Sequence, residues 1–450
     1  MKRSIFFWIF SIVLISYSCR TERPEPPYDI VQSLVEDTSM VVAGHPLAVR
    51  AGADILRAGG NAVDAAIAVQ FALAVVYPRA GNIGGGGFMV VRLADGSAAA
   101  LDYREKAPAA AHRDMYLDST GAVIESLSKE GHLSVGVPGT VAGMEAAYRK
   151  YSQLKDWPAL VAPAIRLAEA GFAITQSEAD RLNHFKEQFK KWNKDAAPFV
   201  RTLPWKMGDK LVQKDLAATL RRISAQGAKG FYEGPVADLI VAEMQRGRGL
   251  ITLEDLKNYR AVWRQPIISQ YKNYGIITMP PSSSGGIVLS QILGMIEPWP
   301  VGEYGFQKAP AVHLIAEAER RAYADRSKYL GDSDFYPVPL DSLLDEEYLR
   351  MRMADFDPHR ASVSDSIGSG KFQHLESFET THTSVVDGAG NAVSVTTTLN
   401  LNYGSKVIVT GGGFFLNDEM DDFSAKPGVP NFFGLIGAEA NAIQPGKRML

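Results

Sequence analysis

Residues 380–387 read Thr380-Thr381-His382-Thr383-Ser384-Val385-Val386-Asp387, and Thr397-Thr398-Leu399-Asn400 lies a hairpin's reach downstream. Alternating β-branched and polar residues predict two strands, 381–386 and 392–399, turning at Asp387-Gly388-Ala389-Gly390-Asn391. If Asp387 and Asn391 close a three-residue loop, Thr380 lies opposite Thr398; a loop one residue longer brings Thr397 there instead. Directly opposed residues have Cβ atoms roughly 4.5–5.5 Å apart, so two hydroxyls meet. Alternation puts Thr396, Thr398 and Asn400 on one face, with Thr380, His382 and Ser384 facing them. Threonine pairs are also ordinary strand furniture, so the pattern alone leaves a packing role and a catalytic one both open. The catalytic role has a specific form. If the chain cuts itself before an internal threonine, the new α-amine becomes the base for that threonine's own hydroxyl.

Working outward, a first hairpin is expected at 88–93 and 98–103 across Ala94-Asp95-Gly96. Upstream, residues 46–58 show helical spacing and stop at Gly59-Gly60. Asn61 is placed to cap a second helix, 62–76, which is apolar nearly all round and ends before Pro78. It is short and carries Asp64 and Gln70, which makes it a core helix and not a membrane span. Between the hairpins, residues 140–365 read as mostly helical, with helices at 140–151, 158–170, 312–329 and 340–355. The stretch 361–370 is rich in Ser and Gly and reads as a loop.

The 450-residue chain is 46% hydrophobic and 22% charged, with a formal charge of −3. That is ample for a large core, and no basic patch suits nucleic acid. Lys2 and Arg3 precede an apolar run, 5–15, too short to span a bilayer. Ser16-Tyr17-Ser18-Cys19 follows, so residues 1–19 read as an export signal of lipoprotein type with Cys19 as the lipidation site. The expected location is periplasmic or outer-membrane-anchored. Residues 20–28 read as a Pro-rich tether. Cys19 is the only cysteine, so export brings no internal disulfide.

The ordered motifs carry a family resemblance. They are GGNAVDAAIA (59–68), GNIGGGGFMV (81–90), DYREKAP (102–108), PGTVAGM (138–144), MPPSSSGG (279–286), TTHTSVVD (380–387), TLNLNYG (398–404), LNDEMDDFSAKPGVPN (416–431) and ANAIQPGKR (440–448). Together they resemble the γ-glutamyltranspeptidases (glutathione hydrolases) of the N-terminal-nucleophile superfamily, from about residue 40 to 450. The fold this implies is α+β, a four-layer αββα sandwich of two stacked antiparallel sheets flanked by helices. The implied activity is γ-glutamyl transfer or hydrolysis on glutathione and related amides, with water or an amino acid or peptide as acceptor and no metal or organic cofactor.

The resemblance also implies residue roles. Thr380 Oγ attacks the Glu379 carbonyl, and water opens the resulting ester. A large subunit, 20–379, and a small one, 380–450, then pair as a heterodimer. Thr380 is the nucleophile and Thr398 positions its hydroxyl. Arg104 takes the substrate carboxylate, while Asn400, Glu419 and Asp422 surround its ammonium. Phe433 falls where some bacterial members carry a lid tyrosine. A Ser-Ser pair and a Gly-Gly oxyanion site are expected beyond Leu450, so the sequence reads as a fragment of a longer small subunit. Alternatives are a glutaryl acylase, a poly-γ-glutamate depolymerase, or an inactive exported binding lipoprotein.

Three features read as decoys. Gly84 to Gly87 lacks the Lys-Ser/Thr of a phosphate loop and is expected to serve close backbone packing. Ser282-Ser283-Ser284 mimics an oxyanion loop but is assigned to the scaffold. The eight histidines show no metal spacing. Of these, His45 reads as structural and His382 as a hairpin-packing residue, not the base.

Overall fold

The computed structural model describes residues 27–28, 34–35, 37–124, 126–363, 367, 380–429 and 437–450. The signal segment with Cys19, the cleavage-side residue Glu379, the lid position Phe433 and most of the Ser/Gly-rich run lie outside the described residues.

Ten strands are described: β1 (Met40–Val42), β2 (Gly86–Arg92), β3 (Ala98–Asp102), β4 (Phe172–Ala173), β5 (Lys210–Leu211), β6 (Val262–Arg264), β7 (Ile267–Tyr271), β8 (Tyr274–Thr278), β9 (Thr381–Val386) and β10 (Ala392–Thr398). Six form one antiparallel sheet in the order β1-β9-β10-β2-β3-β6. The other four make two small ladders, β4 with β5 and β7 with β8. The two hairpins read from the sequence therefore lie side by side at the middle of the main sheet.

Helix α1 (Pro46–Arg57) starts at His45, whose side chain accepts the Leu47 N–H at 3.2 Å. Burial lowers the His45 pKa to about 4, and its ring packs edge-on to Tyr28 and Phe172. It is structural, as expected.

Helix α2 (Ala62–Val76) is capped reciprocally by Asn61 and Asp64, and every residue in it is buried. Full burial of side chains such as Ile67, Phe71 and Leu73 contributes roughly 1.5–3 kcal/mol each. The helix packs under β9 and β10, on the face carrying Thr381, Thr383, Val385, Val393, Val395 and Thr397. The opposite face bears His382, Ser384, Ser394 and Thr396 and is more exposed. This polar/apolar alternation is the signature of a sheet packed on one side.

Asp387 locks the hairpin to this helix. Its carboxylate accepts N–H bonds from Ala389 and Asn391 at the turn, from the Asn391 amide, and from Ala62 at the start of α2. Burial alone would raise its pKa, but these donors hold it below the usual carboxylate value. Asp387→Ala is expected to destabilise the protein by about 2–3 kcal/mol, because bonds to a charged acceptor are lost and donors are left unmet. A lowered folded pKa means the contribution is fully present above the unfolded value near 3.9 and is lost as pH falls through the folded value. Urea melts of wild type and variant should thus converge at strongly acid pH and stay apart at neutrality.

Two expectations change. Residues 340–355 are not one helix but two, Leu340–Leu343 and Glu346–Arg352, because the Asp345 side chain caps the second by accepting the Tyr348 N–H. The segment 140–365 also contributes β6 to the main sheet and the β7–β8 hairpin. Helices Gly285–Ile296 and Ala309–Tyr329 form a second core around Ile287, Leu314, Ala318 and Leu349. No described helix is long and apolar enough to cross a membrane.

Candidate active site

The hairpin register follows the three-residue loop. Val386 pairs with Ala392, His382 with Thr396 and Thr381 with Thr397. One further step along this register sets Thr380 opposite Thr398. Thr380 lies just ahead of β9 and is exposed, whereas Thr398 is buried at the end of β10. The Thr398 hydroxyl accepts the Asn400 N–H at 2.8 Å, which leaves its own proton free to donate. His382 sits on the same face with both ring nitrogens against hydroxyls, Nδ1 to Thr396 at 2.8 Å and Nε2 to Ser394 at 3.1 Å. Burial lowers its pKa. It is held as a packing residue.

The glycines at 84–87 explain how the strand end is supported. A Cβ on Gly84 would stand 2.1 Å from the Phe415 carbonyl oxygen, on Gly85 2.4 Å from that of Thr398, and on Gly87 2.2 Å from that of Thr396. Their role is close backbone approach, as the sequence suggested. Asn82 completes the support. Its Nδ2 donates to the Thr398 carbonyl at 2.7 Å, and its Oδ1 accepts from Gly85 N–H and the Thr140 hydroxyl.

After β10 the chain turns sharply at Asn400, whose φ is +75. Asparagine tolerates this left-handed region better than most residues. Its Nδ2 donates to the Asp418 carbonyl at 3.1 Å, and the Asp418 carboxylate accepts the Leu401 N–H at 3.0 Å. The 3₁₀ turn Glu419–Asp422 follows, and one turn presents both of its terminal acids to Arg104. Arg104 Nη1 lies 2.9 Å from Glu419 Oε2, and Nη2 bonds the Asp422 carboxylate. The structure thus brings Thr380, Thr398 and Asn400 to one strand end and Arg104, Glu419 and Asp422 into one ion-pair cluster. The Asn400–Asp418 bonds join the two groups.

The cluster is buried and rich in acids. Burial, with Arg104 opposing it and the charges of Asp422 and Asp102 adding to it, pushes Glu105 up to about 8. Burial likewise raises Glu419 well above the usual range; Arg104 pulls it back, while Glu105, Asp422 and Asp418 push it further. Burial opposes the charge on Arg104, but Glu419, Asp422 and Glu105 outweigh it and raise its pKa. Neither oxygen of Glu105 has a hydrogen-bond partner among the described residues, and the Glu419 carboxylate has only its ion-pair contact with Arg104. A crowded, dry set of carboxylates is stabilised by any added cation.

Sequence reasoning missed Glu105, Asn82 and Asn417. Asn417 accepts the Glu419 and Gly136 N–H groups and donates to the Gly84 and Gly136 carbonyls, so it ties the glycine loop to the acid turn. Asn82 and Asn417 act largely through partners distant in the chain, which no local pattern reveals. Glu105 alone carried a signal, as the acid beside Arg104 in the DYREKAP motif.

The family model described as gamma-glutamyltranspeptidase matches residues 48–450. The chain belongs to the γ-glutamyltranspeptidase family. A glutathione hydrolase proenzyme of Pseudomonas sp. (strain A14) is 50% identical over 416 residues, covering 92% of this chain and 72% of that protein. The crystal structure of Helicobacter pylori gamma-glutamyltranspeptidase superposes with a TM-score of 0.73 at 46% identity, over 77% of this chain and 99% of that one. A cephalosporin acylase from Bacillus halodurans superposes with a TM-score of 0.80 at 29% identity, over 95% of this chain and 76% of that one. The fold is the αββα N-terminal-nucleophile sandwich of the γ-glutamyltranspeptidases, and the described residues supply one six-stranded sheet of it with the helices that cover one face.

Proposed function

We propose that this γ-glutamyltranspeptidase cuts itself between Glu379 and Thr380 and then transfers or hydrolyses γ-glutamyl groups of glutathione and related amides. The observation that carries the substrate assignment is the Arg104–Glu419–Asp422 cluster, buried next to the strand end that bears Thr398 and Asn400. A γ-glutamyl group ends in a free amino acid, with one carboxylate and one ammonium. The guanidinium fork of Arg104 suits the first and the crowded acids suit the second. Entry of such a zwitterion exchanges partners without changing the net charge of the pocket: the carboxylate takes Arg104, and the ammonium, with Asn400 beside it, takes Glu419 and Asp422.

Chemistry follows from the new N-terminus. An α-amine has a reference pKa of about 7.7–8.0, suited to a general base near neutrality. It takes the Thr380 hydroxyl proton as Oγ attacks the γ-amide carbon, with Thr398 orienting that hydroxyl. The proton passes to the leaving amine as the C–N bond breaks, which leaves a γ-glutamyl ester on Thr380. Water or an acceptor amine then attacks the ester and frees Thr380. The large and small subunits from one precursor remain together, joined by the β1–β9 and β10–β2 pairings. The leader read at residues 1–19 would carry this activity out of the cytoplasm, with a lipid anchor at Cys19.

Turnover of a γ-glutamyl anilide is expected to exceed that of the matching glutaryl anilide, which lacks the ammonium, by about tenfold or more, the value of one charge-assisted bond. Equal rates would sink the amino-acid assignment and favour an acylase.

A further inference from the structure

The stretch Asp418-Glu419-Met420-Asp421-Asp422 holds acids at every position but one, and the fold sends them three ways. Asp418 accepts the Leu401 N–H, while Glu419 and Asp422 pair with Arg104. Asp421 faces elsewhere. Its carboxylate accepts the Ser128 hydroxyl at 2.5 Å, and both residues are buried. That length belongs to a hydroxyl bonded to an ionised carboxylate, which runs about 2.5–2.7 Å and is stronger than a neutral bond.

The geometry of the turn explains the split. Residues three apart eclipse one another in a 3₁₀ turn, and those between point away. Glu419 and Asp422 therefore share a face, and Asp421 stands about a third of a revolution off it. Whatever fixes the direction of Asp421 fixes the rotation of the turn about its own axis. It thereby fixes where the two acids on the other face point.

Ser128 is well placed to do this. It lies in the short helix Ser126–Lys129, which packs against the turn. The remaining turn residue, Met420, is buried in a small core with Tyr116 and Phe423, onto which Leu127 and Leu133 pack. The segment that carries Ser128 is itself tied down. The Tyr116 hydroxyl donates to the Leu133 carbonyl at 2.8 Å, and the Gly131 N–H donates to the Ser405 carbonyl at 2.9 Å. Apolar packing at Met420 holds the turn against this segment but has no direction. The hydroxyl–carboxylate bond has one, so it is the contact that sets the rotation.

We propose that Ser128 is a positioning residue for the amino-acid end of the substrate: by holding Asp421 it aims Glu419 and Asp422 at the ammonium. Ser128 acts only through the turn. The proposal rests on the γ-glutamyl reading above.

The test uses the full chain and two competitive inhibitors of γ-glutamyl anilide turnover. L-Glutamate carries the ammonium, and glutarate keeps both carboxylates but lacks it. Ser128→Ala is expected to weaken inhibition by L-glutamate about tenfold, the size of one charge-assisted bond. Inhibition by glutarate should stay unchanged, and kcat should hardly move, because the reacting carbon lies at the other end of the substrate. Ser128→Thr keeps the hydroxyl and should behave as wild type. Asp421→Asn removes the charge at the other end of the bond and should repeat the Ser128→Ala pattern; it decides the matter alone if Ser128→Ala does not mature. The double variant should lose no more than the larger single loss, since both substitutions break one bond. A purely structural serine would weaken both inhibitors alike, and an idle one neither; either result, or losses that add in the double variant, overturns the proposal. If wild type fails to turn over any γ-glutamyl anilide, the proposed function falls and the inference with it. Normal wild-type turnover with an unaltered preference for L-glutamate over glutarate in Ser128→Ala overturns the inference alone.

Discussion

With Thr380 replaced by alanine, the protein is expected to run as one chain on a denaturing gel, while wild type runs as two. The argument is chemical. Self-cleavage needs a hydroxyl at residue 380 to attack the preceding carbonyl, and turnover needs the same hydroxyl next to a free α-amine. Alanine removes the hydroxyl for both steps, and without cleavage the amine is never formed. Loss of a nucleophile typically costs on the order of 10⁴–10⁶ in kcat. Thr380→Ser retains the hydroxyl and should still split. Thr398→Ala should slow both steps without abolishing them, because Thr398 orients the hydroxyl through the register continued from Thr381 and Thr397. A wild-type protein that stays whole, or a Thr380→Ala variant that still divides, would overturn the cleavage assignment.

The hairpin behind this expectation was legible in the sequence because its determinants are local. Two-residue alternation sets the faces, and Asp387 and Asn391 at the ends of a three-residue loop set the register; the observed pairing follows that loop. Helix α2 was legible for the same reason, since Asn61 and Asp64 cap within one turn and the apolar run ends at a proline. What was not legible depends on partners far away. Strand β6 is three residues long, too short for any period, and is a strand only because β3 lies beside it. The break in 340–355 comes from one aspartate choosing to cap a helix rather than continue one. At the site, the residue types of Arg104, Glu419 and Asp422 were carried by the motifs. Their mutual pairing across some three hundred residues was not, nor was the burial that makes Glu105 a near-neutral acid.

That pairing gives the second large effect. Arg104→Gln removes the only guanidinium that touches Glu419 and Asp422 among the described residues. Breaking a buried ion pair by deleting one partner typically costs 3–5 kcal/mol, because the other charge stays behind unpaired. Here Glu419 is already raised by burial and by its acid neighbours, so without Arg104 it is held still further toward its neutral form. The substrate then loses twice, its carboxylate losing the Arg104 fork and its ammonium meeting a neutral Glu419. KM for a γ-glutamyl anilide is expected to rise about a hundredfold or more, with a smaller change in kcat, since the reacting carbon lies at the other end of the substrate. Arg104→Lys should recover part of the loss at most, because an ammonium cannot bridge two carboxylates in the plane that the guanidinium spans. The residual binding should improve as pH rises, as Glu419 ionises again and regains its hold on the ammonium. Steady-state kinetics of both variants across pH, with the gel assay to confirm that each has matured, measures all of this. An unchanged KM in Arg104→Gln would mean that the ion pair is structural and that the γ-glutamyl end of the substrate is held elsewhere.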